Sequence, residues 1–324
     1  MRYIFWVAIL LSLTSLATAA TPIDKAPAEG TYLPIVPIPD RVPHQVPMSK
    51  LGAKLFNDKR LSLDNSLSCA SCHSLATAGV DLAKVSRGIN GKLGTRNSPT
   101  VYNAVFNFAQ FWDGRAHDLI AQAAEPVTKP DEMGMKNWQE VVERLTQDKS
   151  YVTEFHTVFK GEITPLRIQT AIAEYQKSLI TPGSRFDRYL KGSKYTISKQ
   201  AQRGFELFKS YGCIACHEGV NVGGTRYAKL GIKKSAVLLD GTSTDLGRFE
   251  VTKNPKDKHV FKVPSLRLVA YTPPYFHDGS VRTLKEAVSI MMEYQIGKNA
   301  PEQDLKDITS FLKSLHGKMT KGTM

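Results

Sequence analysis

Cysteine is scarce in this chain. The 324 residues contain four cysteines, and all of them lie in two Cys-x-x-Cys-His pentapeptides. No thiol is left for a disulfide between distant segments or for a free nucleophile. Strand-like alternation of apolar and polar residues is also scarce, which disfavours a sandwich or a barrel. Apolar runs of about 20 residues, the length that spans a bilayer, are absent. These absences point to a mostly helical protein that does not span a membrane.

The two pentapeptides, 69–73 and 213–217, have the pattern of covalent c-type haem attachment. In such a site both thiols bond to the porphyrin edge, and the adjacent histidine reaches the iron from one side. The sequence therefore predicts two c-type haems. The residues assigned to them are Cys69, Cys72, His73, Cys213, Cys216 and His217.

Three other chemistries use a Cys-x-x-Cys pair: a zinc site, a dithiol redox motif and a structural disulfide. A zinc ribbon needs its second pair about 15–20 residues further on, whereas these pairs lie in separate halves of the chain. A thioredoxin-like motif follows a strand, whereas glycine-containing helical segments precede both pairs here. The adjacent histidine occurs twice and favours haem over all three alternatives.

The first residues are typical of a secretory signal peptide. Arg2 precedes an apolar run from Ile4 to Leu16, and Ala17-Thr18-Ala19 offers a small-x-small cleavage site. We predict a signal peptide at 1–20, with an uncleaved anchor as the alternative. Export to the periplasm agrees with the cysteines, because c-type haem is attached outside the cytoplasm.

The formal net charge is +13. A basic surface can serve nucleic acid, anionic lipid or an acidic protein. An exported protein is not expected to bind nucleic acid, and the lysines are scattered rather than gathered in a dense tract. The excess positive charge therefore either lies on a solvated surface without a specific role or produces a field that steers an electron donor with an acidic face.

The two halves of the chain repeat each other beyond the haem motifs. A Gly-x-x-Leu-Phe segment precedes each motif, at 52–56 and at 204–208. Each motif is followed by a proline, then by Asp-Gly with its aspartate 14 positions after the proline, then by a leucine 6 positions after the aspartate, in both copies. These positions are Pro99, Asp113 and Leu119, and then Pro264, Asp278 and Leu284. Matched spacing indicates duplication of one haem-binding unit.

Helical periodicity and loop signals complete the outline of the fold. Helices are predicted over 166–179, 283–294 and 303–315, an extended arm over 34–47, and a linker over 181–193. The predicted domains are an N-terminal haem domain at 21–182 and a C-terminal haem domain at 183–324.

From about Leu51 to about Leu315 the chain resembles the bacterial dihaem cytochrome c peroxidase family. Besides the haem motifs, the resemblance is carried by Arg60–Asp64, Arg96–Val101, Ala109–Arg115, Phe186–Leu190 and Tyr275–Gly279. It implies an all-α fold of two cytochrome c-like haem domains with long loops. It also implies that hydrogen peroxide reacts at the N-terminal haem, while the C-terminal haem takes electrons from a small periplasmic donor, either a cytochrome c or a cupredoxin. A homodimer is compatible with the resemblance.

The resemblance also implies roles for particular residues. The family's catalytic pair corresponds to Glu132, which would move a proton, and Gln122, which would orient the peroxide. Trp112 corresponds to a tryptophan between the haems. A calcium site corresponds to the side chain of Asn97 and the carbonyl groups of Thr272 and Pro274.

The second ligand of the C-terminal haem is expected to be Met291. This residue shares a predicted helix face with Leu284 and Val288, and it matches the family's motif. Its neighbour Met292 is the competing candidate for the ligand. For either methionine, the alternative role is packing in the apolar core. A related subfamily of protein-modifying dihaem enzymes has tyrosine at the ligand position, and Tyr294 lies close by.

One position departs from the family pattern. Many members close the N-terminal haem with a distal histidine in the oxidised state, and the aligned residue here is Ile89, which cannot bind iron. We therefore expect a permanently open first haem. The leading function is peroxidase. The alternatives are a dihaem oxidase that modifies a partner protein and a dihaem electron-transfer cytochrome.

Overall fold

Helices joined by long loops build the molecule. The computed structural model describes residues 34–235 and 245–322, so the predicted signal peptide at 1–20 lies outside the described residues. Within these residues the sheet content is one ribbon of two short strands. The all-α prediction is therefore confirmed. No helix in the described ranges is long and apolar enough to cross a membrane.

The N-terminal half packs its helices around one apolar core. Leu55, Leu61, Val141, Phe155 and Ile168 are fully buried at its centre, and each such side chain stabilises the fold by about 1.5–3 kcal/mol. The helices are α1 Val46–Phe56, α2 Cys69–Cys72, α3 Leu119–Thr128, α4 Trp138–Thr146, α5 Lys149–Phe159 and α6 Pro165–Ser178.

The C-terminal half has its own core, in which Phe186, Phe208 and Phe311 meet edge to face or tilted at centroid distances of 4.9 to 5.1 Å. Its helices are α7 Arg185–Leu190, α8 Lys199–Ser210, α9 Phe249–Thr252, α10 Leu284–Ile290 and α11 Glu302–Lys313. Strands β1 Tyr227–Lys229 and β2 Val260–Lys262 pair antiparallel.

Most predicted elements agree with the structure, and the differences have local causes. The predicted helices over 166–179 and 303–315 are observed as α6 and α11. The segment 283–294 is α10 followed by a π-helical turn, Met291–Ile296. The extended arm ends before Val46, because Pro47 occupies the first helical turn, where its missing N–H is tolerated.

The sequence repeat is also a repeat of helix packing. In each half the helix before the haem motif crosses a later helix at the glycine that begins the Gly-x-x-Leu-Phe segment. A Cβ atom on Gly52 of α1 would lie 1.8 Å from the carbonyl oxygen of Ala171 in α6. A Cβ atom on Gly204 of α8 would lie 1.9 Å from the carbonyl oxygen of Asp307 in α11. Glycine therefore allows the two backbones to touch in both copies.

The Asp-Gly loops repeat as well. Each loop has a phenylalanine and a glycine in the left-handed region and is closed by one backbone hydrogen bond of 2.7 Å. Each then enters a helix through a side-chain cap, Asp118 on Ala121 N and Thr283 on Glu286 N. The loop residues are Phe111 and Gly114 in the first copy and Phe276 and Gly279 in the second, and the bonds run from Gln110 N to Ala116 O and from Tyr275 N to Val281 O.

Segments at both ends of the described chain cross to the opposite half. Ile35 is buried in the C-terminal core and bridges Gly219. Thr320 receives a hydrogen bond from the Ile180 amide at 3.0 Å, and its carbonyl accepts one from Tyr102 Oη. The halves are therefore joined at several places besides the connection at 181–193.

A fully buried ion pair fixes the connection between the halves. Asp187 in α7 accepts a hydrogen bond of 2.8 Å from Arg267, and both side chains have no exposed surface. Arg267 also donates to the carbonyl groups of Val220 and Val36. The segment predicted as a linker is thus held in the C-terminal core.

Replacing Gly204 by alanine should destabilise the C-terminal half. The added methyl group would meet the Asp307 carbonyl, so α8 must shift away from α11, at a cost of about 1–3 kcal/mol. Urea unfolding of the Gly204→Ala protein measures this loss. Ser210→Ala, on the exposed end of the same helix, is the matched control. Equal stability of the two variants would contradict the close crossing.

Candidate active site

The N-terminal haem motif forms a short helix whose start is fixed by serines. The Ser71 hydroxyl accepts a hydrogen bond from Ser68 N at 3.0 Å. The imidazole of His73 is oriented by its Nδ1 atom, which lies 3.2 Å from the carbonyl oxygen of Gly79. Burial lowers the pKa of His73 below its usual value, which favours the neutral imidazole that binds metals. Nε2 remains as the ligand atom.

The C-terminal motif reaches the same arrangement by a different local route. Gly212, with φ of +86°, turns the chain into a short 3-10 helix, Cys213–Ala215. His217 Nδ1 lies 3.3 Å from the carbonyl oxygen of Val222. Burial lowers the pKa of His217 to about 4. In both motifs burial therefore favours the neutral imidazole, and Nδ1 faces a backbone carbonyl.

Each motif borders its own cavity, and the residues present fit a haem in both. The N-terminal cavity, of about 500 Å³, is lined by Cys69, Cys72 and His73. The C-terminal cavity, of about 260 Å³, is lined by Cys213, Cys216 and His217. A zinc site is not supported, because the described part of the chain contains no group of three or more His, Cys, Asp or Glu side chains able to hold a metal ion.

The two predicted catalytic residues lie in the lining of the N-terminal cavity. Gln122 is on α3, and its Oε1 accepts a hydrogen bond of 3.4 Å from Gln176 on α6. Glu132 lies in the turn after α3, where Lys129 Nζ donates to its Oε1 at 3.0 Å. The structure therefore brings Glu132, Gln122 and His73 to one cavity.

The turn that carries Glu132 is fixed by its backbone. Pro126 and Val127 accept hydrogen bonds from Met133 N and Met135 N, at 3.1 and 2.9 Å. The chain reverses at Gly134, which has a φ of +68°. Because these bonds tie the turn to the end of α3, the carboxylate is held against the cavity rather than on a free loop.

Trp112 lies between the two cavities and lines both of them. Its indole Nε1 donates to the carbonyl oxygen of Asn97 at 2.8 Å, and its ring stands edge-on to His277 at 6.4 Å. The other residues shared by both linings are the segment 97–100. The predicted position of Trp112 between the haem sites agrees with this geometry.

The C-terminal cavity has two methionines in its lining, at the start of the π-helical turn. Met292 is 2% exposed and belongs to the apolar core, whereas Met291 is only partly buried. A π-helical turn shifts the side chains that follow it, and such turns are frequent at functional sites. The core role that the sequence left open thus falls to Met292, which leaves Met291 as the candidate ligand.

The three residues predicted to bind calcium line the same cavity. Asn97 is fixed by its backbone amide, which donates to the His277 carbonyl at 2.7 Å. Its side-chain amide donates to the Ala83 carbonyl at 3.0 Å. Thr272 and Pro274 lie in the loop that precedes β-bridge residue Tyr275.

Ile89 is buried and is not among the residues that line the N-terminal cavity. Its side chain packs on Gly134, and its amide donates to the Glu132 carbonyl at 2.8 Å. His73 is the one histidine in the described lining of this cavity. The nearby His117 is 84% exposed, just before α3. His277 is buried and stacked on Phe261 at 4.3 Å.

An ionic network at the N-terminal cavity did not emerge from sequence reasoning. Arg96 forms ion pairs with Asp113, Asp245 and Glu250. The pairs with Asp245 and Glu250 join the N-terminal half to the segment around the start of α9. Burial raises the pKa of Asp245, but the hydrogen bond and the charge of Arg96, together with the Gly247 amide, hold that pKa below its usual range. Arg96 lies in a motif that the sequence did reveal, but its partners Asp245 and Glu250 are 149 and 154 residues away.

Two haem motifs with anchored histidines, each beside a cavity in a duplicated helical unit, define a two-haem protein of the cytochrome c class. Comparison with known families agrees. Residues 47–195 match the family described as di-haem cytochrome c peroxidase, and residues 201–316 match the family described as cytochrome c.

Several curated proteins are similar over most of this chain. Cytochrome c551 peroxidase of Pseudomonas aeruginosa is 42% identical, over 96% of this chain and 93% of that protein. Cytochrome c551 peroxidase of Nitrosomonas europaea is 40% identical, over 95% and 91%. Cytochrome c peroxidase Ccp of Escherichia coli is 45% identical over 92% of this chain, which spans 64% of that longer protein.

Among solved structures, a MauG-like protein associated with microbial copper homeostasis is 29% identical. It superposes with a TM-score of 0.75 over 90% of this chain and 95% of that one. The chain belongs to the di-haem cytochrome c peroxidase family. Membership makes it an oxidoreductase that acts on peroxide and carries two c-type haems.

Proposed function

We propose that this protein reduces hydrogen peroxide to water in the periplasm, with electrons from a small redox protein. The observation that supports this most directly is the meeting of Glu132, Gln122 and His73 at one cavity. Each turnover takes two electrons, one from each of two donor molecules, and two protons, and yields two water molecules.

In the N-terminal half, Cys69, Cys72 and His73 would hold the reactive haem. When bound, this haem supplies an iron centre that receives the oxidising equivalents of peroxide. Gln122 would orient the peroxide by a hydrogen bond from its amide, since its carbonyl oxygen already faces Gln176. Glu132 would take a proton from one peroxide oxygen and return it to the other, so that water leaves.

In the C-terminal half, Cys213, Cys216, His217 and Met291 would hold the second haem. A haem held by an imidazole and a thioether would suit electron transfer, because the thioether raises the potential. Trp112 would lie on the electron path, since its ring borders both cavities.

We also assign a calcium ion to the side-chain oxygen of Asn97 and the carbonyl oxygens of Thr272 and Pro274. Oxygen-only ligation suits a hard cation. Asn97 lies in the N-terminal half, whereas Thr272 and Pro274 lie in the C-terminal half. Thr272 and Pro274 precede the second Asp-Gly loop, in which His277 contacts Trp112. Bound calcium would therefore fix the region between the haem sites.

The donor is proposed to be a small cytochrome c or a cupredoxin with an acidic face. The net charge of +13 would steer such a partner over long range, and added salt would weaken the attraction. A homodimer and the domain boundary at 182/183 stay predictions.

A second candidate is a dihaem oxidase that modifies a partner protein, and the likeness to a MauG-like structure favours it. Steady-state turnover distinguishes the two candidates. Rapid peroxide consumption with a small reduced cytochrome supports the peroxidase. Slow consumption with every small donor supports the oxidase.

Glu132→Gln should lower kcat for peroxide by about 100- to 10,000-fold, because glutamine cannot accept the proton. The absorption spectra of both haems should stay unchanged. The measurement is peroxide-dependent oxidation of a reduced cytochrome. Glu140→Gln, on α4 outside the cavity, is the control and should retain turnover. Wild-type kcat in the Glu132 variant would exclude this residue as the base.

Met291→Leu should remove the thioether-to-iron absorption band and lower the reduction potential of the C-terminal haem, because leucine has no donor atom. Met292→Leu should keep both properties and change stability by less than about 1.5 kcal/mol, since the side-chain volume is conserved. The reverse pattern would transfer the ligand role to Met292.

The diferric protein should show a high-spin N-terminal haem and should turn over peroxide without prior reduction. The reason is that the described lining of that cavity offers no second histidine. Electron paramagnetic resonance of the oxidised holoprotein measures the spin state. A low-spin bis-histidine signal from this haem would refute the open site.

A further inference from the structure

The two cavities differ in the charge of their linings. Among the described residues, the C-terminal lining has three cationic side chains and no carboxylate. The N-terminal lining mixes three cations with four carboxylates. The cations are Lys229, Lys262 and Arg267 on the C-terminal side and Arg96, Arg115 and Lys129 on the other, where the acids are Asp113, Asp131, Glu132 and Glu250.

The three C-terminal cations are not equivalent. Arg267 is neutralised by Asp187 in the buried ion pair. Lys229 is exposed, so water screens its charge. Lys262 is 6% exposed, and in the described ranges no carboxylate lies within ion-pair distance of its amine. Burial lowers the pKa of Lys262 to about 8.

Lys262 is held in place by its backbone. It is the last residue of β2, opposite Tyr227 of β1. Its amide donates to the carbonyl oxygen of Trp112 at 2.7 Å, and the preceding Phe261 stacks on His277. Lys262 thus lines the C-terminal cavity from a ribbon that is hydrogen-bonded directly to Trp112, which borders both cavities.

A buried ammonium without a counter-ion is costly, so such groups are paired or lose their proton. Haem carries two propionate carboxylates, the acidic groups that this lining lacks. Lysine has three N–H donors and suits an anionic oxygen. We infer that Lys262 binds a propionate of the haem held by His217.

This contact would set the electrostatic environment of the C-terminal haem. Reduction of ferric haem adds one negative charge, so a fixed positive charge nearby stabilises the reduced form and raises the potential. The N-terminal haem would gain no such stabilisation of its reduced form, because the cations in the lining of its cavity are offset by carboxylates. Lys262 would therefore favour entry of electrons at the C-terminal haem.

The test is a redox titration of both haems in the Lys262→Met holoprotein, at fixed pH and ionic strength. Methionine keeps a similar length and suits a buried position. We expect the equilibrium constant for reduction of the C-terminal haem to fall about tenfold. For one electron this lowers the reduction potential by about 59 mV. The N-terminal haem should shift much less.

Lys229→Met is the matched control, because it removes an exposed lysine from the same lining and should shift the potential less. Haem content and circular dichroism verify that both variants fold. Unchanged potential in Lys262→Met, or an equal shift in both variants, would overturn the assignment. The inference rests on haem at His217 but not on turnover, so a failed peroxidase assay with an intact Lys262 effect would reject the proposed function alone.

Discussion

The covalent and axial anchoring of two haems is the constraint on which the rest of this structure depends. Each Cys-x-x-Cys-His motif would hold the porphyrin edge and supply one iron ligand within five residues. The Nδ1 atom of each histidine then faces a backbone carbonyl, that of Gly79 or Val222. A helical framework is needed only to enclose the cofactor and to deliver the groups on its other face. This explains why long loops are tolerated around both sites.

The duplicated unit gives two similar sites that differ in the side chains lining them, and the proposed division of roles depends on these differences. The helix crossings at Gly52 and Gly204 and the two Asp-Gly loops are alike. The side chains that enter the cavities are not. One cavity receives a carboxylate and an amide, Glu132 and Gln122, and the other receives thioethers and an unmatched lysine. In the proposed function, the same scaffold would support oxidant chemistry on one side and electron transfer on the other.

Much of the fold was predictable, because its signals are local. Covalent attachment requires the pentapeptides, and amphipathic periodicity located α6 and α11 within one or two residues. The π-helical turn at Met291 was not predictable, since one extra residue in a turn leaves the apolar pattern almost unchanged. Nor was the pairing of Arg96 with Asp245, because it joins residues 149 positions apart.

The sequence by itself determined the two haem attachments, the duplication and the helical class, because each depends on residues close together in the chain. It also identified the catalytic candidates, but only through resemblance to a family. The tertiary structure alone decided that Glu132 and Gln122 share one cavity and that Trp112 borders both. It also revealed that Lys262 is buried without a carboxylate partner among the described residues. These facts depend on which distant segments pack together, and the burial of a charge exists only once that packing has formed.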